Sequence, residues 1–186
     1  MTRASGLQAA LIEAIEDEYR ARASYAAVLA RFGPVQPFAT IVQAEGRHVA
    51  ALAGLLRQHS FAVPPDRFAG RIAAPESLIA ACEGGVDAEI ANAAMYDRLS
   101  RTVKDPAALL VFARLRAASA LNHLPAFRAC LARAGSGAGS GAGSGAGSGA
   151  APRPAASPAS GASPLVWAIG LAAAAVLVRA LPRKSG

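Results

Sequence analysis

Apolar residues return every three or four positions along most of the first 134 residues, and the pattern breaks at a few glycines and prolines. Leu7, Leu11, Ile15, Ala21, Tyr25, Val28 and Leu29 predict a first helix from about Ser5 to Phe32, ended by Gly33-Pro34. Phe38, Ile41, Val42, Val49, Leu52, Leu55 and Leu56 predict a second, from about Pro37 to His59. A loop from Ser60 to Ala74 contains Pro64-Pro65. Pro75 suits the first turn of a short helix reaching Cys82, which Gly84-Gly85 should break. A third long helix is expected from Val86 to Thr102, and a fourth from Asp105-Pro106 to about Arg133. No useful length alternates with period two. The fold class predicted is therefore all-α, a four-helix bundle with one short extra helix.

The pattern ends abruptly at Ala134. Residues 135–150 repeat Gly-Ser-Gly-Ala, and the stretch to Pro164 holds mainly Ala, Pro, Ser and Gly, with Arg153. Such residues cannot build a core, so 135–164 reads as a flexible linker. An unbroken apolar run follows, Leu165 to Val178, including Trp167. A helix over Pro164 to Leu181 would be roughly 27 Å long, against a hydrocarbon core of about 30 Å. Arg179 lies near its end, where its head group can snorkel. Residues 165–182 are thus expected to form a hydrophobic tail helix that anchors the chain to a membrane. Docking on a protein partner, or packing back on the bundle, are the alternatives.

Charge divides at the same point. The first 134 residues hold 15 Lys plus Arg and all 12 acidic residues, and the remainder holds four basic residues. Neither part carries a dense basic patch, which argues against nucleic-acid binding. Cys82 and Cys130 show no metal-binding spacing and are too few for a disulfide framework, so both are expected to be small core or surface residues. No apolar segment of leader length precedes Glu13, so export by the ordinary route is not expected, and the bundle is expected in the cytoplasm. Arg179, Arg183 and Lys184 pull the other way, since the positive-inside bias favours a cytoplasmic C-terminus.

The chemistry sits in the first four helices. Glu18 and Tyr25 are seven apart and share a helix face. Glu45-Gly46-Arg47-His48 places a carboxylate and an imidazole on adjacent positions of one helix surface. The second half repeats the arrangement, with Glu89 and Tyr96 on the third helix and His123 on the fourth. Each feature has a plain structural alternative. A Glu-x-x-His pair occurs by chance, a Tyr seven after a Glu can be core packing, and a single histidine can be a satisfied core residue. The conjunction favours a metal. Carboxylates on buried faces are costly unless paired or metal-bound, and here three fall in apolar stripes. The metal ligands expected are Glu18, Glu45, His48, Glu89 and His123, with Glu45 bridging, and Tyr25 and Tyr96 are expected beside them as hydrogen-bonding or electron-carrying groups. A full two-fold repeat needs a Glu three before His123, where this chain has Ala120. Mixed carboxylate and imidazole ligands suit iron, with manganese and zinc as alternatives. Glu13, Glu16 and Asp17 are expected to be solvated neighbours of Glu18, and Glu83, Asp87 and Asp97 surface charges.

From Glu18-Tyr19-Arg20-Ala21 through Tyr25, Pro37-Phe38, Ile41, Glu45 and His48, the chain resembles the ferritin-like superfamily. The second half, Glu89-Ile90-Ala91-Asn92, Met95-Tyr96-Asp97, Ala118-Ser119, Asn122-His123-Leu124 and Ala126-Phe127, is similar to an uncharacterised bacterial branch related to rubrerythrin. The resemblance covers about residues 7–133. It implies a di-iron centre with two irons per bundle, reacting with oxygen or peroxide during iron oxidation. Ala120 departs from that pattern, and no rubredoxin-like cysteine quartet is present.

Three functions compete. The first is a di-iron protein that oxidises ferrous iron, tethered to a membrane by its tail with the bundle in the cytoplasm. The second is a non-catalytic scaffold or partner-binding bundle whose metal site has decayed, as Ala120 suggests. The third is cargo of a cytoplasmic protein shell, because a Gly/Ala/Pro-rich linker ending in an apolar peptide also resembles cargo of encapsulin-type shells. A homodimer through helix faces is open to any of them.

Overall fold

The computed structural model describes residues 3–139. The expected linker beyond residue 139 and the expected tail helix, 165–182, lie outside the described residues. Helices are the regular structure of the described residues, which hold no strand: α1 is Arg3–Phe32, α2 Phe38–Gln58, α3 Leu78–Thr102, α4 Pro106–Ala118 and α5 Leu124–Gly139. A five-residue π turn, Ser119–His123, joins α4 to α5 without a loop, so the two make one long fourth helix. Among the described residues no helix is long and apolar enough to cross a membrane.

Local chemistry explains the boundaries. Gly33 takes a positive φ of 80° and its N–H donates to the Leu29 carbonyl at 2.9 Å, closing α1 with a left-handed cap. The Ser77 hydroxyl accepts from the Ala80 N–H at 3.1 Å and starts α3. Asp105 does the same for α4, accepting from the Ala108 N–H at 2.8 Å, with Pro106 in the first turn. The segment 60–77 lies along α1. Asp66 accepts from Phe68 and Ala69 N–H groups and from Arg22 at 2.7 Å, and the Arg20 and Arg67 guanidinium groups stack on Phe68.

Two expectations are corrected here. Gly84-Gly85 breaks nothing, and no separate short helix exists, because α3 begins at Leu78 and runs through both glycines. Gly85 is there for a close approach. A Cβ built on it would fall 2.5 Å from the Phe127 ring, so only hydrogen lets α3 and α5 meet. That contact offsets the roughly 1 kcal/mol that glycine costs a helix interior relative to alanine. Gly85→Ala should therefore lose stability despite better helix propensity. Overpacking of this kind costs typically about 1–3 kcal/mol. A lowered midpoint in urea denaturation checks it, and a raised midpoint would refute the close-approach explanation.

The cysteines are not separate core residues either. Cys82 and Cys130 form a disulfide between α3 and α5, with Cα atoms 6.0 Å apart and 48 residues between them in sequence. The spacing carries no motif, but both residues are buried on facing helices, which brings the sulfurs together. In the chain-entropy account, closing a loop of this length stabilises the fold by about 4 kcal/mol. Adding reductant should lower the thermal midpoint of wild type and leave a Cys82→Ser/Cys130→Ser variant unmoved.

The core has two apolar clusters. One contains Leu11, Ile15, Leu52, Leu56, Leu99 and Phe112. The other contains Tyr25, Val28, Phe38, Ile41, Phe127 and the disulfide. Along α1, α2, α3 and the α4–α5 rod, the buried polar residues fall between these two sets. A polar layer is thereby enclosed by hydrocarbon on both sides.

Candidate metal centre

Each helix contributes to that layer through its helical period. Glu18 stands on α1, Glu45 and His48 on successive turns of α2, Glu89 on α3, and His123 at the end of the π turn. All five are buried, the carboxylates to within 2% exposure and the histidines to within 9%. The π turn matters to the fourth rod. Buried Ser119, His123 and Phe127 are each four apart, a spacing that drifts around an α-helix. A π turn holds more residues and reduces the drift, so all three stay inward.

Glu45 lies at the middle. Its Oε2 is 2.8 Å from His48 Nδ1, and its Oε1 is 3.2 Å from His123 Nδ1. His48 Nδ1 is also 3.3 Å from Glu18 Oε2, and His123 Nδ1 is 3.4 Å from Glu89 Oε2. The two imidazoles stack with centroids 5.5 Å apart. Two sets of three result, Glu18–Glu45–His48 and Glu45–Glu89–His123, and within each the ligand atoms lie within 4.8 Å of one another. Each set could hold a metal ion, and Glu45 belongs to both. The five expected ligands are thus brought together, with the expected carboxylate in the shared position.

The donor set fits metal ions chemically. His123 Nδ1 is buried and makes no hydrogen bond, although two carboxylates flank it. A cation at this place, proton or metal ion, is matched by those two carboxylates. Without metal, protons take the cationic role. Burial works to lower the pKa of His48, but the Glu18 and Glu45 carboxylates raise it to about 9. Burial opposes His123 too, and Glu45 and Glu89 bring it to about 10. Burial pushes Glu18 up to about 7, helped by neighbouring Glu45. For Glu45, burial is outweighed by the two imidazoles and the carboxyl is held below the usual range.

The tyrosines cross over. Tyr25 on α1 donates to Glu89 Oε1 on α3 at 2.7 Å, and Tyr96 on α3 donates to Glu18 Oε1 on α1 at 2.5 Å. Burial, then the nearby carboxylates, raises both phenols well above their ordinary value, so they remain donors. Each Glu-x6-Tyr spacing therefore serves the opposite helix.

Three residues of the network were not anticipated. Asn92 donates from Nδ2 to Glu18 Oε1 at 3.2 Å and to Asp17 Oδ2 at 3.0 Å, while its Oδ1 accepts from Ser119 Oγ at 2.7 Å. Asn92 is three after Glu89, the same spacing as Glu45 and His48, and that repeat was the available signal. Asp17 is no solvated neighbour. Its side chain is only 27% exposed, it pairs with Arg20 and Asn92, and burial raises its carboxyl. Glu16 is half-buried as well, paired with Arg67, and Glu13 lies outside in an ion pair with Arg98. Ala120 is only partly buried, and the inward position beside it belongs to Ser119. The fourth rod thus supplies one candidate ligand, His123, to the layer.

No protein-family model matches the sequence, and no curated protein matches it. The fold is similar to that of the hypothetical protein MJ0754 from Methanococcus jannaschii DSM 2661, whose crystal structure aligns with a TM-score of 0.62 at 24% identity, covering 69% of this chain and 81% of that one. This likeness concerns the fold alone.

Proposed function

We propose that the chain is a ferritin-like di-iron protein that binds two ions around Glu45 and handles or oxidises ferrous iron with oxygen or peroxide. The supporting observation is the placement of Glu45, with one oxygen toward each buried histidine. Glu18 and His48 would complete one position, and Glu89 and His123 the other. Iron bound there supplies one-electron chemistry toward oxygen or peroxide.

The chain's own residues do the rest. Each ion would be held by three protein side chains, the number found in catalytic rather than structural zinc sites. Tyr25 and Tyr96 hold Glu89 and Glu18 in orientation, one hydrogen bond each. The apolar clusters above and below exclude bulk water, which strengthens every charge interaction between them. Ala120 removes the carboxylate that would give the second position a further ligand, so weaker retention of that ion belongs to this reading. A membrane tether through the apolar tail remains part of the proposal.

The test is metal content of the full chain purified after iron supply. Close to two irons per chain, with ferrous iron consumed on exposure to oxygen, supports the reading. A chain that holds no iron, manganese or zinc would leave a helical scaffold in its place.

A further inference from the structure

Resting on the two-ion reading, we infer that Asn92 makes the two metal positions unequal, so that the Glu18–Glu45–His48 position binds first and more tightly. The evidence is the unequal support behind the two outer carboxylates. Glu18 Oε1 accepts two hydrogen bonds, from Tyr96 Oη and Asn92 Nδ2. Both lone-pair directions on that oxygen are engaged, which turns Oε2 toward His48 as the free ligand atom. Glu89 Oε1 accepts from Tyr25, and among the described residues no second donor stands behind it as Asn92 does behind Glu18.

Asn92 is itself anchored. Ser119 Oγ donates to Oδ1, which fixes the amide so that Nδ2 faces the carboxylates. One Nδ2 hydrogen reaches Glu18 and the other Asp17. Asn92 is buried to 5% exposure. The histidines show the same inequality. His48 Nδ1 makes hydrogen bonds to Glu45 and Glu18, whereas His123 Nδ1 lies near two carboxylates and makes none. The position behind Asn92 is the more fully held of the two, with two donors on its outer carboxylate against one. Such support lowers the ordering cost of binding, so the more fully held position fills first.

Asn92 is a positioning residue, and its loss should act on one binding step. The experiment is calorimetric titration of the full metal-free chain with Zn²⁺ alone. Wild type is expected to bind two ions in separable steps, with His48→Ala losing the tighter step and His123→Ala keeping it. Asn92→Ala should weaken the tighter step by about tenfold to a hundredfold, the usual effect of removing support behind a ligand, and leave the other within about twofold. Ser119→Ala, which removes the anchor and leaves the amide, should weaken the same step by less. Circular dichroism on each variant establishes that it is helical before titration. Asn92→Ala and Ser119→Ala leaving both steps unchanged, or weakening both equally, would overturn the inference. Two equal steps in wild type would also overturn it while leaving the two-ion centre standing. A wild-type chain that binds no Zn²⁺ and no iron removes both.

Discussion

Glu45→Ala is expected to abolish binding at both positions, whereas Glu18→Ala and Glu89→Ala should each spare one ion. The difference follows from sharing. Each outer carboxylate belongs to one three-residue set, but Glu45 belongs to both. Removing it leaves each position with one carboxylate and one imidazole. It also leaves two buried histidines without their closest carboxylate. Elemental analysis per chain, after loading with iron and desalting, should read near zero for Glu45→Ala and near one for either outer variant. Equal loss in all three would mean that the two positions do not share a ligand. The metal-free Glu45→Ala chain should also lose stability near neutral pH, because breaking a buried ion pair typically costs about 3–5 kcal/mol.

Metal binding should release protons and depend steeply on pH. His48 titrates near 9 and His123 near 10 in the metal-free chain, so both imidazoles are protonated at neutral pH. A metal ion needs the neutral ring, so each ion must displace one proton. The sign follows directly. Affinity per ion should rise about tenfold for each pH unit below the histidine pKa values, from the linkage of one proton to one ion. The rise should flatten once pH passes about 9 for one position and about 10 for the other. Glu18, near 7, adds a further proton to the first position at lower pH. Calorimetry in buffers of different ionisation enthalpy counts the protons released per ion. A pH-independent affinity between about 6.5 and 8.5 would contradict the paired arrangement of these groups. The metal-free fold should respond in the opposite sense. The raised histidines contribute stability that is fully present below their ordinary value of 6.5 and is lost as pH rises through 9 to 10.

The first two helices were legible because their apolar stripes are long and their ends are followed by Gly33-Pro34 and by a loop containing Pro64-Pro65. The buried Glu/His cluster was legible because two half-sites repeat one spacing. What stayed hidden has a common cause, which is contact between parts distant in sequence. Gly84-Gly85 looks like a helix stop when only its own segment is considered, and becomes helix interior because Phe127 approaches Gly85 from α5. Cys82 and Cys130 look independent until α3 and α5 lie side by side. Asn92 is an ordinary helix residue until Ser119, Asp17 and Glu18 converge on its amide. The π turn has no residue of its own to announce it. Ser119–His123 contains neither glycine nor proline, and the turn shows only in where the inward side chains fall.

The disulfide also divides the molecule in a topological sense. Glu89, Asn92, Tyr96, Ser119 and His123 all lie between Cys82 and Cys130, inside one covalent ring. Glu18, Tyr25, Glu45 and His48 lie on the open arm that precedes it. A single protease cut at the α3–α4 connection, Val103 to Asp105, would open the ring without dividing the oxidised protein. Both fragments would stay joined through the sulfurs, with every ligand still on one molecule. The same cut in the reduced protein would leave His123 on a separate piece, held to its two carboxylates, Glu45 and Glu89, by packing alone.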